Sequence, residues 1–315
     1  MTEIEIKKKE ELAEVFVEGQ KLGSFSSQEI WDLSEQLRDF AISNSNDFEI
    51  NPAQEITVGK CTFHVHPLNY PDFWNLVNKG NWEPETYAVF DRFIKSDTVF
   101  IDVGAWIGST ALYGAQLAAE THAFEPDPIA FAELKANKEA NRKKPWFKNV
   151  NIYQKALAIN TGTAHLGSKN SGGDSMSSVL FADEDQSWKV ETIDLNNFLE
   201  IKNLTELQPI FLKMDIEGGE YELVPTLRNA LEKTNSALFL SLHPEFLLES
   251  IRSNVNGKFS ELKVRLEFYK KHKKLFKSLP YSKITHADGR PFQLKKQLAK
   301  ALLLGNFPHT ILASN

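Results

Sequence analysis

The stretch Val99-Phe-Ile-Asp-Val-Gly-Ala-Trp-Ile-Gly-Ser-Thr110 predicts a buried strand that breaks into a glycine turn and then a helix. Val99 to Val103 are mostly apolar, as in a parallel strand covered on both faces, and small and apolar residues recur at helical spacing from Ser109 to Ala119. In a doubly wound α/β sheet, the turn between such a strand and helix is where a nucleotide ligand binds. The stretch therefore predicts a ligand loop.

The glycines of this turn narrow the class of ligand. A dinucleotide fingerprint, G-x-G-x-x-G, needs its second glycine so that a pyrophosphate can approach the backbone, but here bulky Trp106 lies between Gly104 and Gly108. This disfavours an NAD-dependent oxidoreductase. Asp102 next to the turn suits a ligand with an amino acid portion, whose ammonium an aspartate can pair with. S-adenosylmethionine is such a ligand.

A second acid follows at the end of the next predicted strand, Thr121-His-Ala-Phe-Glu-Pro126. Glu125 has the position of the carboxylate that binds ribose hydroxyls, roughly 20 residues past the glycine turn. A carboxylate can accept hydrogen bonds from both hydroxyls of a diol. The alternative is that Asp102 caps a helix and Glu125 ends a solvated strand. Because Asp102 and Glu125 occur together around the glycines, the ligand-binding interpretation is favoured over this alternative.

Four stretches of the chain resemble the FkbM-like family of S-adenosylmethionine-dependent methyltransferases. The likeness extends from about Asn81 to about Glu245, with Trp106 and Gly219 where asparagine and alanine are usual. The four stretches are Trp82-Glu-Pro-Glu-Thr86, Phe100-Ile-Asp-Val-Gly-Ala-Trp-Ile-Gly108, Phe124-Glu-Pro126 and Lys213-Met-Asp-Ile-Glu-Gly-Gly-Glu220.

The resemblance implies a Rossmann-like class I methyltransferase, an α/β fold with a doubly wound, mostly parallel seven-stranded sheet. The family's known activities are mostly O-methylations. The resemblance also carries Glu83 and Thr86 to the methionine end of the donor. The donor-binding residues expected from the motifs and the resemblance together are Glu83, Thr86, Asp102, Gly104, Ala105, Gly108, Glu125 and Ala156.

Acids and a histidine follow the predicted fourth and fifth strands, in Lys213 to Glu220 and in Leu240-Ser-Leu-His-Pro-Glu245. Methyl transfer to an oxygen requires removal of the hydroxyl proton, so Asp215 or Glu217 could accept it, with His243 orienting the acid or serving as the base. The three side chains could also hold a divalent metal ion against a substrate diol. The structural alternative is a tight turn whose acids favour the start of the next helix.

Composition and charge restrict the partners. The net charge of −6 gives no general attraction to nucleic acid, and the lysine run from Lys270 to Lys277 is interpreted as the solvated face of a helix. The charged start is unlike a signal peptide, and no stretch approaches the roughly 18 apolar residues of a membrane span. The single Cys61 is compatible with a reducing cytoplasm, which is the expected location.

The chain is expected to contain two parts, divided at the polar stretch Ser43-Asn-Ser-Asn-Asp47. Residues 1–48 predict a small α+β module, with a strand over Ala13 to Val17 and a helix over Ile30 to Phe40, that could mediate dimerisation or contact a partner. Residues 49–315 predict the methyltransferase domain, in which segment 49–97 covers the donor site. The glycine-rich insertion from Ala158 to Glu191 is either an acceptor or donor-covering element or a surface loop.

These features predict an S-adenosylmethionine-dependent O-methyltransferase acting on a hydroxyl of a small molecule, sugar or glycan intermediate. The main alternative of another class is a non-catalytic methyltransferase-fold scaffold. Acids at both the donor and the acceptor edge favour the enzyme, because a scaffold has no use for them.

Overall fold

The computed structural model describes residues 4–9, 12–17, 20–26, 53–67, 69–168, 186–204, 208–255 and 260–315, which fall into two compact units, 1–52 and 53–315. In the first unit, three strands form an antiparallel sheet in the order β1 (Ile4–Lys9), β2 (Leu12–Val17) and β3 (Gln20–Ser26). The strand predicted over Ala13 to Val17 is present. The helix predicted over Ile30 to Phe40 lies outside the described residues.

The second unit is built on a seven-stranded sheet, which confirms the predicted doubly wound α/β fold. Its strand order is β8-β7-β6-β12-β13-β15-β14, and β15 alone runs antiparallel to its neighbours β13 and β14. β15 and β14 form this edge of the sheet. The strands are β6 (Val99–Val103), β7 (Glu120–Phe124), β8 (Val150–Tyr153), β12 (Ile210–Met214), β13 (Ser236–Ser241), β14 (Lys283–Thr285) and β15 (Thr310–Ser314).

Helices cover the sheet on both faces. Between Glu220 and Glu232 the chain forms two short helices, α6 and α7, which are separated by a 3₁₀ turn at Val224–Thr226 because Pro225 has no N–H to continue an α-helix. The helices are α1 (Pro71–Asn78), α2 (Pro84–Phe93), α3 (Ser109–Gly114), α4 (Pro128–Glu139), α5 (Leu195–Ile201), α6 (Glu220–Leu223), α7 (Arg228–Glu232), α8 (Pro244–Asn254), α9 (Ser260–Ser278) and α10 (Leu294–Leu304).

Smaller sheets lie beside the main one. A β-hairpin that turns at Gly59 consists of β4 (Gln54–Val58) and β5 (Cys61–Val65). After β8 ends at Tyr153, the short strand β9 (Ala156–Leu157) pairs with β11 and not with a strand of the main sheet. The insertion contributes β10 (Gly162–Ser168) and β11 (Gln186–Ile193), an antiparallel pair, and its residues 169–185 lie outside the described part.

The two central strands alternate between two hydrophobic cores, as period-two side chains must. Val99, Ile101 and Val103 belong to one core, whereas Phe100 and Phe211 belong to the other, an aromatic core that includes residues of β5, α1 and α2. Asp102 and Lys213 lie on this second face, one step beyond the phenylalanines. They are direct partners in the parallel register of β6 and β12. A charged pair is thereby built into the centre of the sheet.

No helix among the described residues is long and apolar enough to cross a membrane.

Candidate active site

The glycine turn after β6 is shaped by contact with the turn after β12. Gly104 has a φ of +78°, and a Cβ placed on it would lie 1.8 Å from the backbone oxygen of Asp215. Gly108 has a φ of +100°, and its Cβ would lie 2.7 Å from Leu134. Both positions therefore require glycine, because a side chain would be strained and would meet neighbouring atoms. The two turns that the sequence assigned to donor and acceptor are in direct contact.

Asp102 lies beneath this turn and is fully buried. Thr110 Oγ1 donates to its Oδ2 at 2.7 Å, and Lys213 Nζ lies 3.2 Å from its Oδ1. Lys213 also donates to the Gly104 carbonyl at 2.9 Å, and so ties the turn to the sheet. The expectation that Asp102 meets a ligand ammonium needs correction: the carboxylate is paired with Lys213 and does not line the cavity described below.

Glu125 lies at the end of β7 with both carboxylate oxygens engaged by backbone. The N–H of Trp106 donates to Oε2 and that of Asp127 to Oε1, each at 2.8 Å. Burial, followed by the charge of Asp127, raises the pKa of Glu125 to about 8, although these two hydrogen bonds oppose the shift. The acid is held rigidly at the foot of the glycine turn, where the sequence predicted it.

A cavity of about 640 Å³ opens at the carboxyl edge of the sheet. Its walls come from the glycine turn, the end of β7, the short strand β9 and the turns after β12 and β13. Of the residues predicted from sequence, it brings together Glu83, Gly104, Ala105, Glu125, Ala156, Asp215, Glu217 and His243. Thr86, Asp102 and Gly108 do not line it.

Segment 81–86 contributes one wall through Trp82 and Glu83. Glu83 caps the start of α2 with a φ of 42° and accepts a hydrogen bond from Thr86 Oγ1 at 3.0 Å. Partial desolvation and the charge of Asp215 raise the pKa of Glu83. Thr86 therefore reaches the cavity only through Glu83.

Three of the four non-glycine residues that have positive φ angles in the described ranges line this cavity: Glu83, Trp106 and Glu217. Such backbone strain is concentrated at functional sites. The Trp106 ring contacts the rings of Tyr70 at 4.9 Å and Phe73 at 4.6 Å, between their centroids. The large side chain that disfavoured a dinucleotide thus packs on aromatic residues that precede β6.

His243 is surrounded by three carboxylates at the opposite wall. Its Nδ1 lies 2.9 Å from Oε1 of the fully buried Glu220, and its Nε2 lies 3.4 Å from Asp215 Oδ1 and 3.4 Å from Glu217 Oε2. The same Glu220 oxygen accepts the Ile216 N–H at 2.9 Å. Because a carboxylate only accepts, Glu220 fixes the proton on Nδ1 and directs Nε2 toward the two outer acids.

The charges in this cluster perturb one another. Burial alone lowers the pKa of His243, but the hydrogen bond and charge of Glu220, with Asp215 and Glu217, outweigh it and raise that pKa to about 9. Burial raises the pKa of Glu217 to about 8, against the opposing charge of His243. The imidazole is therefore protonated at neutral pH.

Asp215, Glu217 and His243 also each offer one ligand atom within 4.8 Å of the others, a set that could hold a metal ion.

Sequence reasoning missed three residues that hold the site together: Thr110, Lys213 and Glu220. Lys213 and Glu220 stand at the two ends of a motif that was quoted for its other acids. Strand alternation could have identified Lys213, since a lysine between Leu212 and Met214 in a central strand needs a buried partner. No sequence signal assigns Glu220 to His243, because their contact depends on how the turns after β12 and β13 meet.

Comparisons with solved structures found methyltransferases at low sequence identity. Among solved structures, the methyltransferase FkbM from Methylobacillus flagellatus KT is 16% identical, with 53% of this chain and 41% of that chain covered and a TM-score of 0.35. A TehB-like SAM-dependent methyltransferase from Corynebacterium glutamicum is 11% identical, with 79% and 98% covered and a TM-score of 0.38. This chain thus spans less than half of the Methylobacillus protein. No curated protein matches it.

The family assignment depends on sequence. The profile of the methyltransferase FkbM domain matches residues 102–267, which is more than half of the chain and includes the glycine turn, Glu125 and the acid–histidine cluster. The chain belongs to the FkbM methyltransferase family.

Proposed function

We propose that the protein is an S-adenosylmethionine-dependent O-methyltransferase that acts on a hydroxyl group of a small molecule, sugar or glycan intermediate. The observation that carries this proposal is that a single cavity has Gly104 and Glu125 on one wall and Asp215, Glu217 and His243 on another. The first wall suits a nucleoside, and the second suits a group that must lose a proton.

The residues of the donor wall are of types that suit the parts of S-adenosylmethionine. Gly104 and Ala105 leave the backbone of the turn bare, so that a ligand can approach closely, and the buried carboxylate of Glu125 retains lone pairs for ribose hydroxyls. Glu83 would meet the methionine end. When bound, S-adenosylmethionine supplies an electrophilic methyl group attached to a sulfonium.

The acceptor wall supports general base catalysis by a carboxylate. Protonated His243 cannot take a second proton at neutral pH, and Glu217, whose pKa is raised to about 8, is itself largely protonated there. We therefore assign proton acceptance to Asp215 and orientation of the two outer acids to His243. Glu220 holds the imidazole from behind through Nδ1. The acceptor oxygen is expected to lie between Asp215 and Glu217.

A metal-assisted form of the same reaction is the second candidate, favoured by the 4.8 Å grouping of Asp215, Glu217 and His243. A divalent ion would orient adjacent hydroxyls and lower their pKa. Calorimetric titration with Mn²⁺, compared between the parent and Asp215→Asn, and activity after chelation separate the two forms. Mn²⁺ binding that needs Asp215, with activity restored by the metal, supports the ion; indifference to chelator supports the carboxylate alone.

The experiment that tests the proposed function is incubation with isotope-labelled S-adenosylmethionine and fractionated hydroxylated metabolites or glycans, followed by mass spectrometry of the labelled product. A product methylated on oxygen is expected. A product methylated on nitrogen or carbon would contradict the O-methyltransferase assignment. Donor binding without any transfer would favour the non-catalytic scaffold.

A further inference from the structure

Helices α9 and α10 carry an exposed face on which lysines and leucines are segregated along the helix axes. On α9, successive residues turn by about 100°, which brings one in every three or four onto a stripe about 80° wide. On α10, Lys296, Lys300 and Leu303 share a similar stripe, which ends beside Leu304. The lysine–leucine face consists of Leu262, Leu266, Lys270, Lys273, Lys277, Lys296, Lys300, Leu303 and Leu304, all exposed.

The two helices run antiparallel, so their leucines lie together at one end. Arg265 of α9 donates to the Leu303 carbonyl of α10, and at the other end Phe276 stacks on Phe292, which precedes α10, at 5.2 Å between ring centroids. Leu303 and Leu304 are each 67% exposed and Leu262 is 62% exposed. Exposed leucines that cluster in this way are typical of an interaction site rather than of an ordinary surface.

The charge of the face is opposite to that of the protein. The two helices contain ten basic residues and two acidic ones, whereas the whole chain has a net charge of −6. Two lysines of α9 have carboxylate partners, Lys270 with Glu267 and Lys271 with Glu222. In the part of the chain that the structure describes, Lys273, Lys277, Lys296 and Lys300 have no ion pair. Their charge is therefore available to an anionic partner.

We infer that this lysine–leucine face docks on an anionic lipid bilayer. The surface of such a bilayer has an anionic headgroup layer above an apolar acyl region. The exposed leucines of the face can enter the acyl region while the lysines beside them contact the headgroups. A nucleic acid would be attracted by the lysines but has no use for the leucines. The inference goes beyond the proposed function and does not depend on it.

The leucine end of the face is connected to the cavity by a short loop, since His309, which lines the cavity, follows Leu304 after four intervening residues. An acceptor dissolved in a docked membrane could approach the cavity from that end.

The test is co-sedimentation of the full chain with vesicles of phosphatidylcholine alone or mixed equally with phosphatidylglycerol, at low and high salt. We expect binding to the anionic vesicles only, weakened by salt. Leu303→Ser with Leu304→Ser, and Lys273→Glu with Lys277→Glu, should each weaken it by about tenfold or more. Ile201→Ser and Lys148→Glu, which change an exposed isoleucine and a lysine elsewhere, are matched controls and should bind like the parent. Thermal melting verifies that each variant is folded.

Four outcomes would overturn the inference. The first is absence of binding to anionic vesicles at low salt. The second is binding that the leucine pair does not affect, or that the controls weaken equally. The third is a change of oligomeric state in the leucine variant, measured by light scattering, without vesicle binding by the parent, because the face would then contact a second copy of the chain. Binding of a short duplex DNA by the parent in place of vesicles would also contradict it.

Discussion

The donor wall and the acceptor wall of the cavity satisfy their polar groups in different ways. Glu125 receives a backbone N–H on each oxygen at 2.8 Å, a fixed arrangement that a ligand need only join. His243 Nε2 instead lies 3.4 Å from an oxygen of Asp215 and 3.4 Å from an oxygen of Glu217, distances that are longer than a good hydrogen bond. The difference indicates that one wall is preorganised for binding, whereas the other holds charges that a substrate or an ion can rearrange.

The two walls are nevertheless in contact where Gly104 packs against the backbone of Asp215, so Gly104→Ala should disrupt both walls. Its Cβ would lie 1.8 Å from the Asp215 carbonyl, at a φ that alanine rarely adopts, so we expect a loss of stability of about 3 kcal/mol or more. Chemical denaturation measures it. Gly219→Ala is the matched control, since its φ is −67° and its Cβ would lie 3.1 Å from the flexible end of Ile216. Equal losses in both variants would contradict the importance of this contact.

Asp215→Asn should lower turnover, the function assigned to the acceptor wall, without changing donor binding, the function assigned to the donor wall. The substitution retains size and removes the charge that accepts a proton or holds a cation, so turnover should fall by about 10²-fold or more while donor affinity hardly changes. Steady-state kinetics on the true acceptor at saturating donor measures this, with the exposed Asp97→Asn as control. Near-normal turnover in Asp215→Asn would remove catalysis from this wall.

Glu220→Gln tests the residue behind His243. Because the folded-state pKa of His243 is raised to about 9, its protonation stabilises the protein fully below about pH 6.5, and this contribution is lost as the pH rises through 9. Glutamine removes one of the raising charges, so the alkaline decline in melting temperature should become smaller, and turnover should fall by about tenfold. The surface variant Glu232→Gln should show the parent's pH profile. An unchanged profile in Glu220→Gln would contradict the positioning role.

Deletion of residues 1–48 should have the smallest effect. Every predicted donor residue lies after residue 80, and the first compact unit of the structure ends at Pro52. The truncated chain should fold and retain the donor affinity of the parent, as measured by circular dichroism and calorimetry. A folded truncation that cannot bind the donor would assign the module a role at the site.

The sequence predicted those features that depend on local pattern. The apolar run of β6, its glycine turn and the proline after Glu125 specify the donor edge because a strand, a turn and a strand end each have their own residue preferences. Asp102 was expected to pair with a ligand ammonium, and its internal partner Lys213 was not predicted, since a motif does not say whether an acid faces a ligand or a neighbouring strand. The packing of Glu220 on His243 could not be predicted either, because it depends on tertiary contact between two turns.

Calorimetric titration of the parent, Glu125→Ala and Asp215→Asn with S-adenosylmethionine and with NAD tests the donor wall. We expect the parent to bind S-adenosylmethionine and not NAD. Glu125→Ala should weaken binding by about 1 to 3 kcal/mol through lost hydrogen bonds to the ribose, whereas Asp215→Asn should leave it nearly unchanged. Tight binding of NAD, or unchanged affinity in Glu125→Ala, would contradict the assignment of the donor wall.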